Sequence, residues 1–166
     1  FEFIKNFNLS TEIITDKSLN IYWFLGFIKY YFPKSIFIHC ERNPKDNCLS
    51  IFKNLFEDGQ GWKYNESELI EYYKLYAEIM EFWKSKYKDG ILNVRYEELV
   101  NNSEKEIKKI INYCNLEWDD NCLNHHQNNQ PIKTLSLNQA NKPIYSTSIK
   151  SSDNFKSFLK EIFSAF

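Results

Sequence analysis

Arg42, Lys45 and Ser50 fall within nine residues of one another. A guanidinium offers parallel N–H donors that match the oxygens of a phosphate or sulfate. From Asn43 onward the chain reads as a helix start, with Pro44 as a tolerated opener. Its free N–H groups and positive dipole end favour an anion. Ser50, on the face of that helix shared with Asp46, adds a hydroxyl donor. The chemistry these types and spacings suggest is phosphate binding. Spacing alone also fits a solvated basic turn with an ordinary helix serine. Lys17, beside Asp16, could stabilise charge developing on a leaving phosphate oxygen in a group transfer, or be a surface lysine near a helix start. Tyr96 ends an apolar run, where a tyrosine can stack on a purine or pack in the core with its hydroxyl wet.

Other constellations point away from chemistry. His125 and His126 lie near Asp119, Asp120 and Cys122, but adjacent histidines do not readily point into one site and no zinc-ligand spacing is present. A solvated loop without metal is expected there. His39 sits in an apolar run and reads as a core histidine with its polar atoms satisfied. The motifs GxSxG, GxGxxG and GxxxxGK[ST] are all absent, so serine-hydrolase, dinucleotide-fold and Walker-type readings have no support within these residues.

The elements that must position these residues follow from periodicity. Asp16 and then Asn20 to Tyr31 read as a helix stopped by Pro33. Ser35 to His39 is β-branched and aromatic, a buried strand that Arg42-Asn-Pro-Lys45 breaks. A helix is expected over Asp46 to Phe56, a loop at Gly59-Gln-Gly61, and a long amphipathic helix over Glu66 to Tyr87. Gly90 ends that helix, and Ile91 to Tyr96 forms a second strand, followed by Glu97 to Val100 and then a helix over Ser103 to Cys114. Residues 124–151 read as a loop that is ordered or gates a site, before a last helix from Ser152 to Phe163. Strands joined by crossover helices imply parallel pairing and an α/β sheet flanked by helices, with ligands at the carboxyl ends of the strands. Arg42 and Tyr96 fall there.

Composition bounds the rest. The 166 residues fit one domain, 1–166, and 43% hydrophobic content supplies a core. A net charge of −1 gives no global attraction to nucleic acid or anionic lipid, so neither is an expected partner and the anion site must be local. The four cysteines form no CxxC pair and follow no secretory signal, which favours reduced thiols and a cytoplasmic protein. The longest apolar run, Ile21 to Phe32, is interrupted by Lys29 and is short of the roughly 18 residues a bilayer requires. The sequence opens at Phe1 without an initiator Met, so it reads as part of a longer protein.

Taken in order, Asp16-Lys17, the stretch Phe32 to Asp46 containing Arg42-Asn-Pro-Lys-Asp46, Cys48-Leu-Ser50, Val94-Arg-Tyr-Glu-Glu-Leu-Val100 and Pro143-Ile-Tyr145 resemble the sulfotransferases that use 3'-phosphoadenosine 5'-phosphosulfate (PAPS). The sequence is most similar to the bacterial group that often follows tetratricopeptide repeats and resembles tyrosylprotein sulfotransferases. The resemblance implies a P-loop NTPase-like fold, here incomplete at its N-terminus, because the family's loop that grips the 5'-phosphosulfate would precede Phe1. It implies no metal, and PAPS as co-substrate with 3',5'-adenosine bisphosphate as product. It also implies a hydroxyl-bearing acceptor and the possibility of tetratricopeptide repeats upstream. On the same likeness, Arg42 and Ser50 bind the 3'-phosphate, Tyr96 borders the adenine, and Ser136 and Tyr145 lie near the 3'-phosphate or the loop covering it. Lys17 falls beside the transferred sulfate. No residue matches the family's general base. Relatives often carry Gly-Arg-Trp after a Tyr-x-x-Ser motif, where this chain has Lys150-Ser-Ser152, and Lys150 is the candidate replacement for the missing arginine. Competing readings are a phosphoryl transferase, which would need Mg ligands and a Walker lysine, and a non-catalytic nucleotide-binding or interaction module on the same fold.

Overall fold

The computed structural model describes residues 13–54, 61–127 and 142–166. Among them the sheet consists of two parallel strands, β1 (Phe37–Glu41) and β2 (Ile91–Arg95), in register from Phe37 opposite Ile91 to Glu41 opposite Arg95. The connection between them runs through helix α2 (Pro44–Phe52), a 3-10 turn at Gly61–Tyr64 and the long helix α3 (Glu66–Lys86). Helix α1 (Leu25–Tyr31) precedes β1; α4 (Tyr96–Asn101) and α5 (Ser103–Tyr113) follow β2, and α6 (Lys160–Ala165) ends the chain. This is an α/β fold with a small parallel sheet, as the strand-helix alternation implies.

The boundaries depart from the sequence reading where tertiary bonds compete with local ones. The helix expected over Asn20 to Tyr31 is split into a 3-10 turn, Leu19–Phe24, and α1. At the junction the carbonyl of Tyr22 accepts the Trp83 indole N–H at 2.7 Å. Gly26 lets α1 approach α3: a Cβ there would stand 2.6 Å from Cη2 of Trp83. Strand β1 begins two residues later than Ser35, because Ser35 is committed to a turn, its N–H on the Phe32 carbonyl and its own carbonyl on Lys29 Nζ at 2.9 Å. Helix α2 opens at Pro44 rather than Asp46, since Asn43 caps it by accepting from the N–H groups of Lys45 and Asp46. It ends at Phe52, short of the expected Phe56, as the Asn54 side chain takes the Ser50 carbonyl at 2.6 Å. Tyr96 is the first residue of α4, not the last of a strand. The helix expected over Ser152 to Phe163 forms as a 3-10 turn, Ser151–Phe155, and α6, whose start is capped by Glu66 Oε2 accepting from Glu161 and Ile162 N–H, each at 3.2 Å.

Two buried clusters hold these pieces. Cys48, Leu49, Leu69, Ile70, Leu159 and Ile162 join α2, α3 and the C-terminal segment, while Tyr22, Leu25 and Met80 join the N-terminal turns to α3. Full burial of side chains such as Leu69 and Ile162 contributes roughly 1.5–3 kcal/mol each. The first cluster brings the C-terminal segment, over 100 residues beyond α2 in sequence, against α2 and α3. No helix among the described residues is long and apolar enough to cross a membrane.

Candidate functional site

At the carboxyl end of β1 the chain leaves the sheet through Arg42 and Asn43 into α2. Several elements fix this turn. The Asn43 N–H donates to Glu97 Oε1 of α4 at 2.8 Å, and the Tyr73 hydroxyl of α3 reaches the Arg42 carbonyl at 3.5 Å. The Arg42 guanidinium lies over the Tyr96 ring, 4.9 Å from its centroid, and its Nη2 donates to the Ser148 carbonyl at 2.6 Å. Its Nε is buried without a hydrogen-bond partner among the described residues. An unpaired buried N–H on a cation is costly unless a ligand takes it. A planar group held by stacking on one side and by a carbonyl on another, with its buried Nε donor unspent, can present N–H groups to an anion in a fixed orientation.

The segment carrying Ser148 is tied down by Asp46, which is 1% exposed. Asp46 Oδ2 accepts the Lys150 N–H at 2.7 Å and Oδ1 accepts the Ser152 N–H at 2.8 Å. Burial alone would raise this carboxyl, but the Ser152 amide and hydroxyl, the Lys150 amide and the Arg42 charge outweigh it and hold the group below its usual range. Lys150 itself is left-handed, with φ 57° and ψ 21°, a conformation that disfavours a non-glycine residue. Sequence reasoning missed this role of Asp46. Asn43 already supplies the helix cap, and an aspartate beside the buried Cys48 and Leu49 was surplus to capping, which was the available signal.

The remaining sequence-derived residues are distributed unevenly. Ser50 is half-buried on α2, one turn beyond Asp46 on the same helical face. Lys45 is turned toward α6, its Nζ 5.0 Å from the Phe163 ring centroid, so it is not part of the Arg42 group. Lys150 joins the group through its backbone, while Tyr145 is half-buried ahead of the turn that carries Ser148. Lys17 is exposed ahead of the first 3-10 turn, where Asp16 accepts from the N–H and hydroxyl of Ser18. Ser136 lies outside the described residues.

A second polar group lies deeper on the sheet. His39 and Asn93 face each other across the parallel pair. Asn93 Nδ2 donates to Glu41 Oε2 at 2.7 Å, so its Oδ1 faces His39 Nδ1 at 2.7 Å and that nitrogen is the donor. His39 Nε2 then accepts from the Tyr76 hydroxyl of α3. Burial is the largest influence on His39 and lowers its pKa below 6.5, keeping the ring neutral as this bonding requires. Both ring nitrogens are spent, as expected for a core histidine. His125 donates through Nε2 to the Lys142 carbonyl at 3.1 Å, and among the described residues no group of three or more His, Cys, Asp or Glu side chains is placed to hold a metal.

Comparison with known proteins bears on this site. A family model described as "Sulfotransferase family" matches residues 1–120, a span that includes Lys17, Arg42, Asp46, Ser50 and Tyr96. A protein of Aquifex aeolicus (strain VF5), described only as uncharacterized, is 26% identical over 152 residues, which cover 90% of this chain and 20% of that protein. The chain thus spans about a fifth of the length of the curated relative it matches.

Proposed function

The chain belongs to the sulfotransferase family, and from that premise we propose that it binds PAPS and that Arg42 reads the nucleotide's 3'-phosphate. The observation that carries this reading is the Arg42 guanidinium, stacked over Tyr96 and bonded to Ser148, with Nε buried and unspent. The 3'-phosphate takes that donor, Ser50 adds its hydroxyl from α2, and Tyr96 borders the adenine. Tyr145, Lys150 and Ser136 belong to the segment that closes over the nucleotide. The P-loop NTPase-like architecture of the complete domain is part of the same proposal, as is a cytoplasmic site of action for its four free cysteines.

The reaction is the transfer of a sulfuryl group. The acceptor's hydroxyl oxygen attacks sulfur in line, the bond from sulfur to the 5'-phosphate oxygen breaks, and 3',5'-adenosine bisphosphate leaves with the electron pair. Lys17 faces that oxygen in the assembled site and offsets its charge. The acceptor's proton passes to a general base that none of these residues supplies. The acceptor is a hydroxyl compound, protein tyrosine or a smaller molecule.

Calorimetric titration with 3',5'-adenosine bisphosphate and with 5'-AMP tests the phosphate assignment. The bisphosphate binds more tightly, and Arg42→Ala removes roughly 1.5–3 kcal/mol of that affinity, the worth of a charge-assisted contact, while circular dichroism shows the fold retained. Equal affinity for the two nucleotides would contradict the assignment.

A further inference from the structure

Arg42 is bonded to a segment that is itself held by one carboxylate. We propose that Asp46 is the positioning residue of this site: it latches residues 148–152 onto α2 and so fixes the guanidinium of Arg42 in its anion-receiving orientation. This deepens the reading above and rests on it for the identity of the ligand.

Asp46 lies on α2 and meets the segment with both oxygens, each taking one backbone N–H, from Lys150 at 2.7 Å and Ser152 at 2.8 Å. Two such bonds fix the segment's direction as well as its distance. The residue between the free approach and the latch, Lys150, is held at φ 57°. A left-handed lysine persists only where its surroundings over-determine it, and the Asp46 bond to its amide does so. Two residues earlier the same segment presents the Ser148 carbonyl to Arg42 Nη2 at 2.6 Å. The guanidinium is therefore oriented by the stack on Tyr96 from α4 and by the latched carbonyl. Asp46 does not bond to the guanidinium directly, although its charge is close enough to be influenced by it. Being 1% exposed, with its oxygens engaged by amides, it is placed to organise the site rather than to contact a nucleotide.

The chain contains two arginines, Arg42 and Arg95, so the arginine Nε–H region of a nitrogen-15 spectrum reports the guanidinium directly. Asp46→Asn keeps size but places an N–H₂ against one of the two donating amides. The Arg42 Nε–H signal is expected to shift or broaden while that of Arg95 stays in place, with Arg95→Lys supplying the assignment. In parallel, affinity for 3',5'-adenosine bisphosphate falls about tenfold or more and affinity for 5'-AMP is unchanged. Addition of Asp46→Asn to Arg42→Ala then costs little further. Ser152→Ala, which removes the hydroxyl also directed at the carboxylate, moves the same signal less, and stands in if Asp46→Asn does not fold. An unmoved Arg42 signal, or equal losses for the two nucleotides, overturns the positioning role. A wild-type chain with no preference for the bisphosphate overturns the proposed ligand instead, and the spectrum still decides the latch.

Discussion

Two polar groups, one on β1 at His39 and one just past the strand's end at Arg42, differ in one respect. Around His39, Asn93, Glu41 and Tyr76 the bonds close on themselves, and each ring nitrogen and the Asn93 amide have protein partners. Around Arg42 they do not, because Nε is buried and unpaired although the guanidinium is otherwise tightly held. A closed network fixes register and contributes to stability. The open one, just past the end of that strand, is where the proposed ligand would complete the bonding. Position on the sheet sets the difference: His39 points into the contact between β1, β2 and α3, while Arg42 leaves the strand toward the C-terminal segment.

Disrupting the closed group should give the largest change in stability. His39→Ala leaves the Tyr76 hydroxyl and Asn93 Oδ1 without partners, and an expected loss of about 2–3 kcal/mol would be read by denaturant unfolding, with the ratio of bisphosphate to AMP affinity intact. A collapse of that ratio would break the distinction between the two groups. The converse variant, Arg42→Lys, keeps the charge but loses the fork and much of the stack. Calorimetry is expected to show roughly 1–2 kcal/mol less bisphosphate affinity, with unfolding nearly unchanged.

Acid separates the groups by window. His39 has a folded pKa below 6.5, set first by burial, with the Lys84 charge acting in the same direction against Asn93, Glu41 and Glu81. The unfolded chain therefore binds the proton more readily. The histidine's contribution is complete above about pH 6.5 and is lost as pH falls toward the folded value. Asp46 is also depressed, so its contribution is present above 3.8 and is lost only at lower pH. Unfolding measured against pH should show a decline beginning near 6.5 that His39→Gln abolishes, and a later one, shared with the depressed carboxyls of Glu41 and Asp16, that Asp46→Asn reduces. The smallest effect is at Tyr96: Tyr96→Leu is expected to lower bisphosphate affinity by about 0.5–1 kcal/mol, the worth of a cation–π contact, and Tyr96→Phe to retain it.

Much of this arrangement was legible before the structure. Alternation and helical spacing located both strands and α3, whereas the guanidinium, helix start and serine gathered near Arg42 fitted an anion site and a solvated basic turn alike. The bonds that complete the site were not legible, since they join positions 104 and 106 apart in sequence. The C-terminal helix expected from Ser152 begins instead as the 3-10 turn Ser151–Phe155, with the Ser152 N–H taken by Asp46. Lys45, grouped with Arg42 and Ser50 by spacing, instead lies over the Phe163 ring of α6. Periodicity carries no information about which of two neighbouring cations a distant segment will cover.

The most direct test is a crystal structure of the chain with 3',5'-adenosine bisphosphate. The account predicts the 3'-phosphate at hydrogen-bonding distance from Arg42 Nε, about 2.7–2.9 Å, with the Asp46 bonds to Lys150 and Ser152 intact. A bisphosphate bound elsewhere, with Arg42 Nε still unpaired, would contradict it.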